Sequence, residues 1–142
     1  MTAKPITRED WELKGPGRMT DAQRKMLNAA CGDLAAGIVW HGNNRLTKDD
    51  YRHFICGTVL GWTVLPGIDR GDGKPAGFIM LGGSSLDLTR QGATEAIEIA
   101  FAIGDHPEGQ GLSCNPVSWC DVIRAARGIS AADDRDAERY AA

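Results

Sequence analysis

The chain has 142 residues, a formal net charge of −3 and 42% hydrophobic residues, which bounds it to about one domain with enough apolar material for a core. This balance excludes a protein that holds nucleic acid through its overall field, so any such binding needs a local patch. No apolar run reaches the roughly 18 residues of a membrane helix, and four cysteines behind no apolar leader read as free thiols of a reducing cytoplasm.

Residues 1–18, with Pro5, Gly15, Pro16 and Gly17, read as an N-terminal arm with a short ordered piece over 6–13. The first strong helix is predicted over 20–38. Thr20 and Gln23 have the spacing of a capping box, and Asp21 suits the positive end of the helix dipole. Leu27, Ala30, Cys31, Leu34 and Ile38 repeat at helical spacing, which turns Arg24, Lys25 and Asn28 outward. A turn at Gly42-Asn43-Asn44 leads to a second helix, capped by Thr47 with Asp50 three residues on. Its inner stripe is read as Tyr51, Phe54, Ile55 and Thr58. Residues 62–65 and 78–81 read as two apolar strands, joined as an irregular hairpin by a glycine-rich loop over 66–77.

Thr89 caps a third helix with Ala93, Ala96, Ile97, Ala100, Phe101 and Ile103 inside and Gly104 as its C′ residue. Asn115-Pro116 supplies the N-cap and first position of a fourth helix that ends near Gly128. Residues 129–142 form a polar tail. The pattern is that of a small α/β (α+β) domain over 19–128, about four helices packed on a short β-hairpin or small antiparallel sheet.

Charge is unevenly spread. Residues 1–60 carry nine Lys/Arg against seven Asp/Glu, and the remainder seven against twelve. Arg24, Lys25, Arg45, Lys48 and Arg52 fall on the first two helices and the loop between them. If those helices form an antiparallel hairpin, the five side chains share a face that can contact phosphates and displace counterions. Trp40 and His41 offer flat surfaces for unpaired bases, whereas Tyr51 sits on the apolar stripe and reads as core. From the residues alone, an ordinary solvated helix face with core aromatics is the favoured reading.

Other constellations fail on spacing. Gly82-Gly83-Ser84-Ser85 follows a strand and can form a small anion nest, though such a run is more often a simple turn. Gly71-Asp72-Gly73-Lys74-Pro75 lacks the first glycine and the Ser/Thr of a phosphate-binding loop. Pro66, Asp69, Asp72 and Lys74 resemble the carboxylate and lysine set of a metal-dependent nuclease, but both carboxylates lie in one flexible loop, which holds metals poorly. His41, His53, His106, Cys114 and Cys120 show no zinc-ligand spacing. Ser84 and Ser85 lack a Gly-x-Ser-x-Gly elbow. No catalytic residue, metal or cofactor is expected.

One ordered set of residues carries more. Asp21, Arg24, Lys25 and Met26 are followed by Val39-Trp40-His41-Gly42, then by Leu46, Asp49, Tyr51 and Arg52. Leu65-Pro66 comes next, then Gly77-Phe78-Ile79-Met80-Leu81-Gly82 with Ser84 and Ser85. In order and spacing, from about residue 19 to 103, this resembles the NinB (Orf) recombination-mediator proteins of lambdoid phages. Ala22-Gln23 stands where that pattern has Gln-Asn, Leu27 stands at its Trp position, and the stretch after Gly104 matches only loosely. The resemblance implies a homodimeric, non-catalytic, cytoplasmic α/β protein of a phage or prophage. Such a protein binds single-stranded DNA and works with single-strand-binding protein to load a recombinase. Arg24, Lys25, Trp40, His41, Arg45, Lys48 and Arg52 are then the expected DNA-binding residues. Two other classes stay open: a protein–protein adaptor with little DNA affinity, and a metal-dependent nuclease.

Overall fold

A computed structural model describes residues 4–82 and 87–128. Among them, five helices and one two-stranded antiparallel sheet make a small mixed α+β domain: α1 Arg8–Trp11, α2 Asp21–Gly37, α3 Lys48–Leu60, β1 Trp62–Pro66, β2 Phe78–Gly82, α4 Arg90–Asp105 and α5 Asp121–Arg127. The predicted polar tail over 129–142 and positions 83–85 of the Gly/Ser run lie outside the described residues.

The caps work as local chemistry dictates. The Thr20 hydroxyl accepts from the Gln23 N–H at 3.2 Å, and Gln23 Oε1 accepts from the Thr20 N–H at 3.1 Å. Thr47 and Asp50 repeat this box at α3, and the Thr89 hydroxyl caps α4. Each satisfies N–H groups that a helix start leaves without partners.

The central helix α2 packs mainly on α4 and then on α3. Met26, Leu27, Ala30, Cys31 and Leu34 meet Ala93, Ala96, Ile97 and Ala100, all buried. Alanines at these positions let the two helix backbones approach closely. On α3 the buried stripe is Tyr51, Ile55, Cys56 and Gly57. Phe54 and Thr58, expected inside, face out: Phe54 is 37% exposed, and the Thr58 hydroxyl donates back to the Phe54 carbonyl at 2.8 Å.

Residues ahead of Thr20 pack into the body. Trp11 is 3% exposed, its ring meets Phe101 edge to face at 5.4 Å, and its Nε1–H donates to the Ala126 carbonyl at 3.0 Å. Gln23 completes this junction. Its fully buried Nε2 donates to the carbonyls of Trp11 and Arg90, both at 2.9 Å. Beside it, the Thr94 hydroxyl donates to the Leu13 carbonyl at 2.7 Å and accepts from the Leu13 N–H at 2.9 Å. One amide and one hydroxyl thus tie the first helix to α2 and α4.

The C-terminal third differs from expectation. Gly104 lies inside α4, which runs on to Asp105 with His106 as C-cap, and it serves packing, not helix termination: the Trp119 ring rests where a side chain at 104 would stand. The fourth predicted helix starts later, at Asp121, with Cys120 as N-cap. Residues 115–119 stay irregular because the loop is docked: the Val117 N–H donates to the Gly104 carbonyl at 2.8 Å, and Trp119 Nε1 donates to Asp105 at 2.8 Å. Asp105 also takes a two-pronged bond from Arg127, at 2.7 and 3.2 Å. The Arg127 guanidinium covers the Phe101 ring at 4.4 Å. The predicted end at Gly128 holds, with this residue left-handed at φ 70°.

The hairpin pairs Trp62 with Gly82 through to Pro66 with Phe78. It joins the body at its root, where the Trp62 ring lies over Gly57 so closely that a methyl group there would overlap it. Beyond the root it stands out from the core. Val64, Phe78 and Met80 project from one face and Leu65 and Ile79 from the other, all exposed.

Burial at the α2–α3 contact has a pH consequence. It pushes the thiols of Cys31 to about 12 and of Cys56 to about 11, and the Tyr51 phenol to about 12. The unfolded chain ionises these groups at their ordinary values of 9.0 for the thiols and 10.0 for the phenol. Above those values the unfolded state releases protons that the folded state keeps, so stability falls as pH rises from about 9 towards 12. Urea midpoints measured under reducing conditions are expected to drop between pH 8 and pH 10.5. The drop is expected to shrink in a Cys31→Ala, Cys56→Ala chain, and equal midpoints for the native sequence would contradict the burial.

Candidate nucleic-acid interface

The antiparallel register of α2 and α3 shows in three surface contacts. The Arg45 guanidinium reaches the Ala36 carbonyl at 3.5 Å. The Lys48 stem lies against Gly32. Arg52 Nη1 donates to Asn28 Oδ1 at 3.2 Å. Arg24 lies one further turn back along the Arg24–Asn28–Gly32 strip of α2. Arg45, Lys48, Arg52 and Arg24 therefore follow one seam, spaced by about one helical turn, over roughly 18 Å. Lys25 is about 100° round the helix from Arg24, at the flank of this row.

Carboxylates modulate the row. Arg24 pairs with Asp21 at 3.3 Å and Arg52 with Asp49 at 2.8 Å, both at the surface. Exposed pairs of this kind are worth about 0–1 kcal/mol, so a phosphate can displace either carboxylate. Lys25, Arg45 and Lys48 take part in no ion pair among the described residues. Of the other acids on these helices, Asp33 accepts the Cys120 N–H at 3.0 Å, and Asp50 caps α3. The Thr47 N–H and hydroxyl beside Asp50 hold its carboxyl below the ordinary value.

The aromatic candidates lie elsewhere. Trp40 is half-buried and packs on the Tyr51–Phe54 side of α3, with ring centroids 6.2 Å from Tyr51 and 5.8 Å from Phe54. Lys48 and Arg52 point to the α2 side of the same helix. The reason is the turn over 40–44, closed by Trp40–Asn44 backbone bonds at 2.8 and 3.2 Å, with Gly42 and Asn43 at φ 74° and 61°. His41 is exposed, and its Nε2 is 2.7 Å from the Gln110 carbonyl, which anchors the turn to the loop after α4. The structure thus gathers the cations and sets Trp40 and His41 on another face.

The two loop carboxylates serve their own turns. Asp69 accepts the Gly71 N–H at 2.8 Å, and Asp72 the Lys74 N–H at 3.0 Å. Sequence reasoning did not foresee the pairing of Arg24 and Arg52 with acids three residues before them. The i, i+3 spacing on a helix was the available signal.

The architecture is a small α+β domain in which a helix pair carries a line of cations and a short hairpin projects beside it. A solved structure of NinB from structural genomics shares this fold. It has 19% sequence identity to the chain and a TM-score of 0.50, over 90% of this chain and 73% of that one. No family model and no curated protein matches the chain. The NinB likeness is therefore one of fold.

Proposed function

We propose that the chain is a NinB-like, non-catalytic mediator of recombination that binds single-stranded DNA. In this reading it acts in a phage-infected or lysogenic bacterial cytoplasm, and works with single-strand-binding protein to load a recombinase. The observation that carries the reading is the seam of Arg45, Lys48, Arg52 and Arg24 on a molecule whose net charge is −3. A line of cations on an acidic protein is a local track for a polyanion. Fluorescence anisotropy with a labelled single strand tests it: affinity is expected to fall steeply with salt, at a log–log slope of about −3 for four phosphates. Affinity indifferent to salt would overturn the reading. Incubation with magnesium or manganese separates it from the nuclease, which alone would cut the strand.

The same reading takes the protein as a homodimer. Val64, Leu65, Ile68, Phe78, Ile79 and Met80 are exposed on and beside the hairpin, Phe78 and Ile68 by 77% and 80%. Val64, Phe78 and Met80 make an apolar patch on one face of the hairpin, and Leu65 and Ile79 a second on the other; contiguous exposed apolar patches mark interaction surfaces. The strands carry no charged residue, so no charge stands against edge pairing. A second copy offers the identical patch and closes a twofold contact. Light scattering is expected to give the mass of two chains, falling to that of one in Val64→Asp, Phe78→Asp with helical content unchanged. A single-chain mass for the native sequence would turn the hairpin over to a different protein and favour the adaptor.

A further inference from the structure

Glycine is the poorest helix former after proline, and most glycines within these helices have a packing reason. Gly57 and Gly104 lie under tryptophan rings, a methyl group at Gly37 would stand 3.1 Å from the Val117 side chain, and one at Gly92 would stand 3.3 and 3.4 Å from those of Thr89 and Leu88. Gly32 has none. It stands in the middle of α2, outside the left-handed region, and a methyl group there would meet only the Lys48 stem, at an ordinary 3.9 Å. Nothing inside the protein needs that position bare, yet it lies at the centre of the cationic seam, with Lys48 beside it and Asn28 and Ala36 one turn to either side.

From this we infer that Gly32 is the floor of a notch for the phosphodiester backbone of an extended single strand. This rests on the single-strand reading above and specifies how that site grips its ligand. A bare helix surface lets a ligand backbone come close, while Lys48, Arg52 and Arg45 neutralise its phosphates from one side and Arg24 continues the line. The cations recur about every 6 Å along a straight axis. The phosphates of a duplex strand wind round the helix axis, whereas an unpaired strand is flexible enough to lay successive phosphates along a straight line. The seam thus takes one phosphate per helical turn. Trp40 lies on the other side of α3, so the bases point away from the notch and go unread.

The test measures anisotropy and melting temperature for the native chain, Gly32→Ala and Gly32→Glu. The probes are oligo(dT) of about 15 nucleotides and an abasic strand of the same length. Gly32→Ala is expected to raise the melting temperature by about 4 °C, as a better helix former whose methyl group meets the Lys48 stem at ordinary van der Waals distance. Gly32→Glu is expected to melt no lower than the native chain and to bind about 30-fold more weakly. The abasic strand is expected to bind within about 3-fold of oligo(dT). If Gly32→Ala melts lower, the fold itself requires the bare position and the inference fails. It also fails if Gly32→Glu binds like the native chain, or if the abasic strand does not bind, while the single-strand reading survives both. Absence of any binding by the native chain at low salt removes the reading and the inference together.

Discussion

Replacing Arg45 and Lys48 together by glutamate is expected to weaken binding to a single strand about 100-fold at low salt and to flatten the salt slope by about 1.5. These two cations take part in no ion pair among the described residues, so reversing them removes two phosphate contacts and adds two repulsions. Both are exposed, and the Arg45 bond to Ala36 is long at 3.5 Å, so the melting temperature is expected to stay within a few degrees. Asp49→Asn supplies the opposite sign. It releases Arg52 from its 2.8 Å pair and is expected to strengthen binding several-fold. Charge reversals that leave affinity and slope unchanged would move the interface off this helix pair.

The largest effect on folding is expected at Gln23. Its fully buried amide donates to two carbonyls of separate segments and accepts the N–H of Thr20, the N-cap of α2. Gln23→Ala leaves those groups without partners and opens a cavity, at a cost of about 3–5 kcal/mol. Gln23→Met keeps most of the volume and isolates the hydrogen-bond share, about 2–3 kcal/mol. Urea denaturation followed by circular dichroism measures both. A methionine variant as stable as the native chain would show that the amide contributes only bulk.

Gln23 also shows how far the sequence could be read. Its capping role was legible because a capping box is complete within four residues. Its grip on Trp11 and Arg90 was not, because those partners are 12 and 67 positions away and only the packed fold brings them together. The same division holds elsewhere. Thr47, Thr89 and the hairpin strands were plain from local chemistry. The start of α5 was not, because Val117 and Trp119 dock on Gly104 and hold back a helix that Asn115-Pro116 would otherwise begin. Phe54 was expected inside since it fits the helical period, but Trp40 folds in from the turn between Phe54 and the core, and Phe54 stays exposed. At the candidate site, periodicity set Arg24, Lys25 and Asn28 on the outside of α2. It could not give the register that lines up Arg24, Arg52, Lys48 and Arg45, which depends on how α3 slides along α2. Nor could it show that Gly32 is bare without a packing reason, because that requires knowing what every other helical glycine touches.

The indole of Trp62 resting on Gly57 ties two positions five residues apart into one unit of inheritance. No side chain at 57 has room while an indole stands at 62, and a smaller group at 62 leaves a hollow at the foot of the hairpin. Homologues that keep this hairpin geometry must therefore change both positions in step or neither, a covariation that local helix and strand preferences do not require.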